Sequence, residues 1–320
     1  VYVAVNVGQV CAVGRVIEEV FNKVVTYLED FTDPDFYPSR SDNPEQVLRY
    51  FFFMVSIDHR TSRGDVFEDY INGKFYHGAD LLYRLGKLKY DESPDFFNPE
   101  NMLRVSTEDV IKWLRTSRNV VIWDPSTRAE LLRDAALKLI KYFNGSVTEL
   151  LSRSEGYVRH PYKNGLSDLF KVFKAYSDPV EKKFFLFLKF VMRRGLLEVR
   201  DPQNVEVPVD NHLSRLALRL RLIELDSDTV SKVLSRVEFT EYEDVKLRVN
   251  VRYAYKLMCR VFSVRPEVLD DFLWVFGRKY CSRERPVCEV VNSCPISRVC
   301  PSFKKAGNLV EHNFINTFYY

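Results

Sequence analysis

A chain of 320 residues, 46% hydrophobic and 28% charged, can bury one large or two smaller cores and has globular rather than disordered composition. Its richest apolar runs, residues 50–55 and 184–191, are too short to span a bilayer, so no membrane partner is expected. The net charge of +3 is uneven: residues 182–221 carry nine Lys/Arg against four Asp/Glu and residues 278–305 seven against two, leaving the remainder at −7, a distribution that suits a phosphate-bearing ligand or simply two solvated helix faces.

Taken in chain order, helical periodicity begins at residues 17–28, where Val20, Phe21, Val24, Val25 and Leu28 share a face. Residues 32–44, rich in Asp, Pro and Ser, read as a linker. Asn43 and Pro44 then open a buried helix over residues 44–58, as N-cap and first helical position. Further helices are predicted at 78–88, 107–115 (capped by Ser106 or Thr107), 126–143, 166–176, 179–194, 211–223, 227–237, 245–262 and 266–276. The best strand candidate is 119–123, and no repeat or low-complexity tract is evident. The class is therefore mainly α.

Four of the six cysteines, Cys281, Cys288, Cys294 and Cys300, fall within twenty residues at intervals of six, five and five, while Cys11 and Cys259 stand alone. Structural zinc usually takes close CxxC pairs, and none occurs here. Disulfides belong to oxidising compartments and small secreted scaffolds, whereas this chain does not start with a basic-then-apolar leader, so a cytoplasmic setting is expected. A [4Fe–4S] cluster takes one thiolate per iron from a loop that wraps it, and wide intervals favour that reading over the other two.

The residues around this loop carry a resemblance. DDFLWVFGRKYCSRERPVC, then CPISRVCPSF, resembles the cluster loop of the endonuclease III branch of helix–hairpin–helix DNA glycosylases, with a Trp-containing helix, a Gly-Arg pair before the first cysteine and a last interval of five. The middle interval departs from the family, five residues where the family has two, and is read as an insertion that leaves every ligand in place. The resemblance implies a structural [4Fe–4S] cluster on the four cysteines, holding Arg283, Arg285 and Arg298 as a positive surface near nucleic-acid phosphates.

Read locally, Asp210 in VPVDNHLSRL is the N-cap of a helix whose apolar face is Leu213, Leu216, Ala217 and Leu220. The stretch is also similar to that family's catalytic helix, with Asp210, His212 and Arg215 in the places of its Asp, His and Arg. In that family the capping Asp is the catalytic carboxylate. A fixed anion beneath the anomeric carbon stabilises the oxocarbenium-like state of N-glycosidic cleavage and can orient a nucleophile. The family's bifunctional members add a lysine whose amine attacks the sugar. In SDPVEKKFFLFLKFVMRRG, Lys182 sits best in that pattern and Lys183 is the near alternative; both also read as lysines that keep a helix start in solvent. Where the family has a glycine-rich hairpin whose backbone N–H groups grip phosphate, this chain has Ala175-Tyr176-Ser177-Asp178-Pro179, with no glycine. Archaeal oxoguanine glycosylases also modify this hairpin and have counterparts of LWVFGR and VPVD.

The amino-terminal half is instead similar, in YFFFMVSIDHRTS, FEDYINGKFYHGADLLYRLGKL and DFFNPENMLRVSTEDVIKWLR, to queuosine salvage proteins, nucleotide N-glycosidases on a related helical fold without the cluster. Tyr76 and His77, with Phe75 and Gly78, become base-pocket candidates, while Asp58, His59 and Arg60 follow an apolar helix whose core needs none of them. The bland reading makes the aromatics core and the His and Arg partners of a helix C-terminus.

These resemblances together imply a two-module helical glycosylase fold with a C-terminal [4Fe–4S] cluster loop. Residues 1–40 would pack with the cluster module, 41–203 form a helical barrel module and 204–320 carry the catalytic-Asp helix and the cluster, with the site in the cleft. The expected function is base-excision DNA glycosylase activity on duplex DNA carrying a damaged base, with AP-lyase activity through Lys182. Two alternatives stand beside it: an N-glycosidase acting on a free queuosine-type nucleotide, and a non-catalytic iron–sulfur nucleic-acid-binding protein. The chain is expected to act as a monomer.

Overall fold

A computed structural model describes residues 2–291 and 293–320. Asn292, inside the lengthened Cys288–Cys294 interval, lies outside the described residues, as does Val1. The protein is mainly α, with fourteen α-helices and four short strands among the described residues. In chain order the helices are α1 (Val7–Val24), α2 (Pro44–Ser56), α3 (Ala79–Glu92), α4 (Pro99–Met102), α5 (Thr107–Trp113), α6 (Pro125–Phe143), α7 (Val147–Ser152), α8 (Leu166–Phe170), α9 (Lys182–Arg193), α10 (Asn211–Arg219), α11 (Ser227–Leu234), α12 (Glu241–Val261), α13 (Pro266–Lys279) and α14 (Val287–Val290). The strands are β1 (Val3–Val5), β2 (Glu68–Ile71), β3 (Lys74–His77) and β4 (Ile223–Leu225). Among the described residues no helix is long and apolar enough to cross a membrane.

The chain divides into two compact units. The first comprises Val1–Leu28 and Glu206–Asn316, the second Glu29–Val205 and Thr317–Tyr320. Residues 29–40, expected with the amino-terminal helix, and the last four residues, expected with the cluster module, therefore group with the second unit.

The first unit is built on α12, against which α1, α10 and α13 pack. Asn6 caps α1 by accepting from the Gln9 N–H at 3.0 Å, so this helix starts ten residues before the expected position 17 and buries Val10, Val13, Val16 and Ile17. The residues ahead of it form β1, which pairs antiparallel with β4 through Val3↔Leu225 and Val5↔Ile223. That pairing explains why α10 stops at Arg219 although its apolar pattern continues to Ile223. Arg221 turns into the left-handed region at φ 50°, and Ile223 joins the ladder.

The second unit surrounds α2. Every residue from Tyr50 to Ser56 is fully buried, as expected of a helix apolar on all sides. Asn43 caps it through the Glu45 and Gln46 N–H groups, and α9, α6 and α7 pack around it. The expected linker is a fixed strap: Arg194 donates to the carbonyls of Phe31, Pro38 and Ser39 at 2.7–2.8 Å. The expected strand at 119–123 is not formed among the described residues; Val121 makes an isolated bridge to Arg115, because the chain turns back at Asn119 (φ 63°). The hairpin lies instead at β2–β3, where Asn72 (φ 53°) and Gly73 (φ 78°) adopt the paired positive φ of a two-residue turn that matches strand twist. The expected helix 166–176 breaks into α8 and a short 3-10 turn at Lys174–Tyr176, whose Lys174 N–H donates to Asp134 at 2.7 Å.

Candidate functional site

In the first unit, Asp210 is the N-cap of α10. Its Oδ1 accepts from the Leu213 N–H at 2.8 Å, and its carbonyl accepts from Ser214 Oγ at 2.7 Å. The residue is half-buried. Oδ1 is thus pinned, while among the described residues no hydrogen bond reaches Oδ2. Within the first turn of α10, His212 Nδ1 lies 3.0 Å from Arg215 Nη2, and its Nε2 is 3.4 Å from the Leu273 carbonyl. Burial, opposed by Asp210 and reinforced by Arg215, pushes the His212 imidazole down to about 4, so it is neutral at pH 7. The Trp274 ring sits 5.2 Å from it, and a Cβ placed on Gly277 would collide with it. This gives the Gly-Arg pair before Cys281 a physical role, since only a glycine at 277 lets His212 lie against α13.

Beyond Arg215, the same stripe of α10 reaches Arg219, which is wholly buried. Its guanidinium donates to the carbonyls of Leu309, Ser282 and Arg283 at 2.7 Å each, to the Cys281 carbonyl at 3.1 Å and to Cys281 Sγ at 3.3 Å. Arg219 was not among the residues expected from sequence. The signal was present in its spacing, because His212, Arg215 and Arg219 follow one another at helical intervals on the helix that leaves Asp210.

The four cysteines of the loop are free thiols, with Cys281 and Cys288 buried and Cys294 and Cys300 partly so. They lie within electrostatic range of one another. Burial, with Cys300, Cys281 and Cys288 adding to it, pushes the Cys294 thiol up to about 12, and burial with Cys281 and Cys288 pushes Cys300 up to about 11. Among the described residues no three His, Cys, Asp or Glu side chains form a group able to hold a metal ion. An iron–sulfur group, if bound, would be held by thiolates of this loop, one to each iron. Of the three expected phosphate ligands, Arg283 pairs with Glu311 at 2.7 Å and Glu284 at 3.2 Å, Arg298 pairs with Glu19 of α1, and Arg285 is exposed.

The second unit holds a buried polar cluster where α2 ends and α9 begins. Lys183 is wholly buried; its Nζ donates to the Ser56 carbonyl at 2.6 Å and lies 3.4 Å from His59 Nδ1. Desolvation, aided by the charges of Lys182 and Arg128, holds its amine well below the usual lysine value. Lys182 Nζ donates to the Asp58 carbonyl at 3.1 Å and stands 3.7 Å from Asp58 Oδ1, whose other oxygen accepts from Tyr83 OH at 3.1 Å. His59 is 3% exposed, and burial followed by Arg128 and the two lysines pushes its imidazole well below the ordinary value. Arg128, also wholly buried, gathers the carbonyls of Ile57, His59, Arg60 and Trp123 and so fixes the turn that carries Asp58, His59 and Arg60. It too was missed, although an arginine opening the stripe Arg128, Leu131, Leu132, Ala135 of an otherwise apolar helix face is a readable signal. Phe318 covers the cluster, its ring 5.8 Å from Lys183 Nζ, and the Arg60 N–H donates to the Tyr320 carbonyl at 3.3 Å.

Tyr76 is committed elsewhere, buried with its hydroxyl donating to Asp35 at 3.0 Å, and His77 is exposed at the end of β3. The segment in the place of the glycine hairpin is closed by its own carboxylate: Asp178, 2% exposed, accepts from the N–H groups of Val180 at 2.9 Å and Lys182 at 3.0 Å. No protein-family model and no curated protein matches the chain.

Proposed function

We propose that this protein cleaves N-glycosidic bonds, with Asp210 as the catalytic carboxylate. The observation that carries the reading is the Asp210 side chain itself: a half-buried carboxylate pinned through Oδ1 at a helix N-terminus, with neutral His212 and cationic Arg215 paired on the helix it caps. A fixed carboxylate is what an oxocarbenium-like transition state requires. Leu213 N–H holds the carboxylate against rotation, so little reorganisation is needed as charge develops on the sugar.

The thiol loop supports a [4Fe–4S] cluster held by Cys281, Cys288, Cys294 and Cys300. A structural zinc usually takes close CxxC pairs, which this loop lacks, whereas intervals of six, five and five residues suit one thiolate on each of four irons. The cluster's part is to order the loop, while Arg219 ties that loop to α10.

The first reading is a DNA base-excision glycosylase. Of the two lysines at the start of α9, Lys183 meets the chemical condition for a lyase nucleophile better, because its amine is held well below the ordinary lysine value while Lys182 faces Asp58. Asp178 supports a second reading, cleavage of a free modified nucleotide. Its carboxylate already accepts two backbone N–H groups of the segment that stands in place of a phosphate-gripping hairpin.

The test is base release from duplex DNAs bearing single lesions and from free modified nucleotides, with borohydride trapping alongside. Release that is lost in Asp210→Asn, with fold and iron content intact, supports cleavage; binding without release by the wild type leaves a purely binding protein. A borohydride-trapped DNA adduct that disappears in Lys183→Ala supports the lyase. Release from the nucleotide alone moves the protein to the second reading.

A further inference from the structure

Two adjacent residues of the carboxy-terminal segment lie in the interior of the first unit. Glu311 is 2% exposed; its Oε1 accepts from Arg283 Nε at 2.7 Å, its Oε2 lies 3.7 Å from Arg215 Nη1, and its carbonyl accepts from Arg236 at 3.0 Å. His312, equally buried, brings Nε2 to 2.7 Å from Asp244 Oδ1. Asp244 pairs with Arg248 at 3.1 Å, and Arg248 Nη1 donates to the carbonyl of Val209, the residue before Asp210. The segment is anchored on its other side by Phe239 N–H to the Asn313 carbonyl at 2.7 Å.

A packed core needs none of these charges. Burying a carboxylate between two guanidiniums is at best neutral for stability against an apolar replacement, so the gain is in fixing one arrangement. Arg215 is the element fixed: its Nη2 reaches His212 Nδ1 at 3.0 Å while its Nη1 faces Glu311. Among the described residues, His212 and Glu311 are the side chains paired with this guanidinium, one at each terminal nitrogen. Arg283, two residues past the first cysteine of the loop, shares the same carboxylate.

We propose that Glu311 is a positioning residue for the Asp210 site: it orients Arg215, and through it the His212 ring, and joins them to the thiol loop through Arg283. The kinetic arm of its test rests on the N-glycosidase reading; the spectroscopic arm does not.

The experiment compares the full-length wild type with Glu311→Gln, Arg215→Gln and the double variant, reading thermal unfolding, iron content and the His212 ring resonance, the last assigned with His212→Gln. The expected result is a folded Glu311→Gln protein with a displaced His212 resonance and kcat lowered ~10- to 100-fold, as for lost outer-shell partners, with KM changed less. The double variant should be no worse than Arg215→Gln, since both changes break one chain of contacts. A His212 resonance that stays in place in Glu311→Gln, or additive losses in the double variant, overturns the proposal. Should the Gln variant fail to fold, Glu311→Asp, which keeps the charge but withdraws it by one methylene, is read in the same way. If the wild type releases no base from any substrate, the N-glycosidase reading falls, and the His212 resonance still decides the role of Glu311.

Discussion

Arg219 Nη1 lies 3.3 Å from Cys281 Sγ, and the same guanidinium satisfies four backbone carbonyls, those of Cys281, Ser282, Arg283 and Leu309. A side chain of α10 therefore serves as the internal frame of the thiol loop. Replacing it with Met keeps most of the volume but strands buried acceptors, each worth about 1–3 kcal/mol when left unpaired. Arg219→Met should lose on the order of 3 kcal/mol of stability in urea unfolding and purify with less iron per chain; full stability with full iron content would show that the loop orders itself.

Gly277 faces the His212 ring so closely that a Cβ there collides with it. Gly277→Ala should cost about 1–3 kcal/mol as overpacking, and base release should fall with it because the ring that yields is the one bonded to Arg215. Thermal unfolding and kcat measured together check this. A variant with wild-type turnover would separate His212 from the chemistry.

Asp210 carries two roles that substitutions separate. Asp210→Ala removes the acceptor for the Leu213 N–H and should cost about 1 kcal/mol. Asp210→Asn keeps a side-chain oxygen for that bond and should cost less, yet abolish base release. Equal residual activity in the two variants would argue against a catalytic carboxylate.

Burial holds both the His59 and the His212 imidazoles below their ordinary value of 6.5, His212 at about 4. The unfolded chain therefore binds protons that the native state refuses. The stability set by these residues is complete above pH 6.5 and falls as the pH drops, by up to about 1.4 kcal/mol per pH unit for each histidine, until the native imidazoles themselves titrate. Urea unfolding between pH 7.5 and 5 should show this loss, with a shallower slope in His59→Gln; an unchanged slope in that variant would place the proton uptake elsewhere.

Periodicity revealed the helices because burial on one side imposes a 3.6-residue repeat whatever the partner. It placed α2, α5, α6, α9 and α13 within a few residues, and Asn43 and Ser106 as caps act through local backbone bonds. It failed where distant chain intervenes: β4 replaces the last turn expected of α10 because β1 pairs with it, and the Asn72–Gly73 turn was the overlooked signal for a hairpin.

By itself the sequence determined that the chain is mainly α, that Asp210 caps a helix, and that four thiols lie on one loop. Each follows from spacing along the chain, which folding preserves. Only the tertiary structure decided which lysine is the more deeply desolvated and that Asp178 closes its own turn. It alone decided, too, that Arg219, Arg128 and Glu311 are buried among groups contributed by distant parts of the chain, as far as Arg215 is from Glu311. A charged side chain in sequence reads as solvent-facing; whether it is instead the centre of a buried network depends on carbonyls and carboxylates contributed by remote segments, which no local pattern encodes.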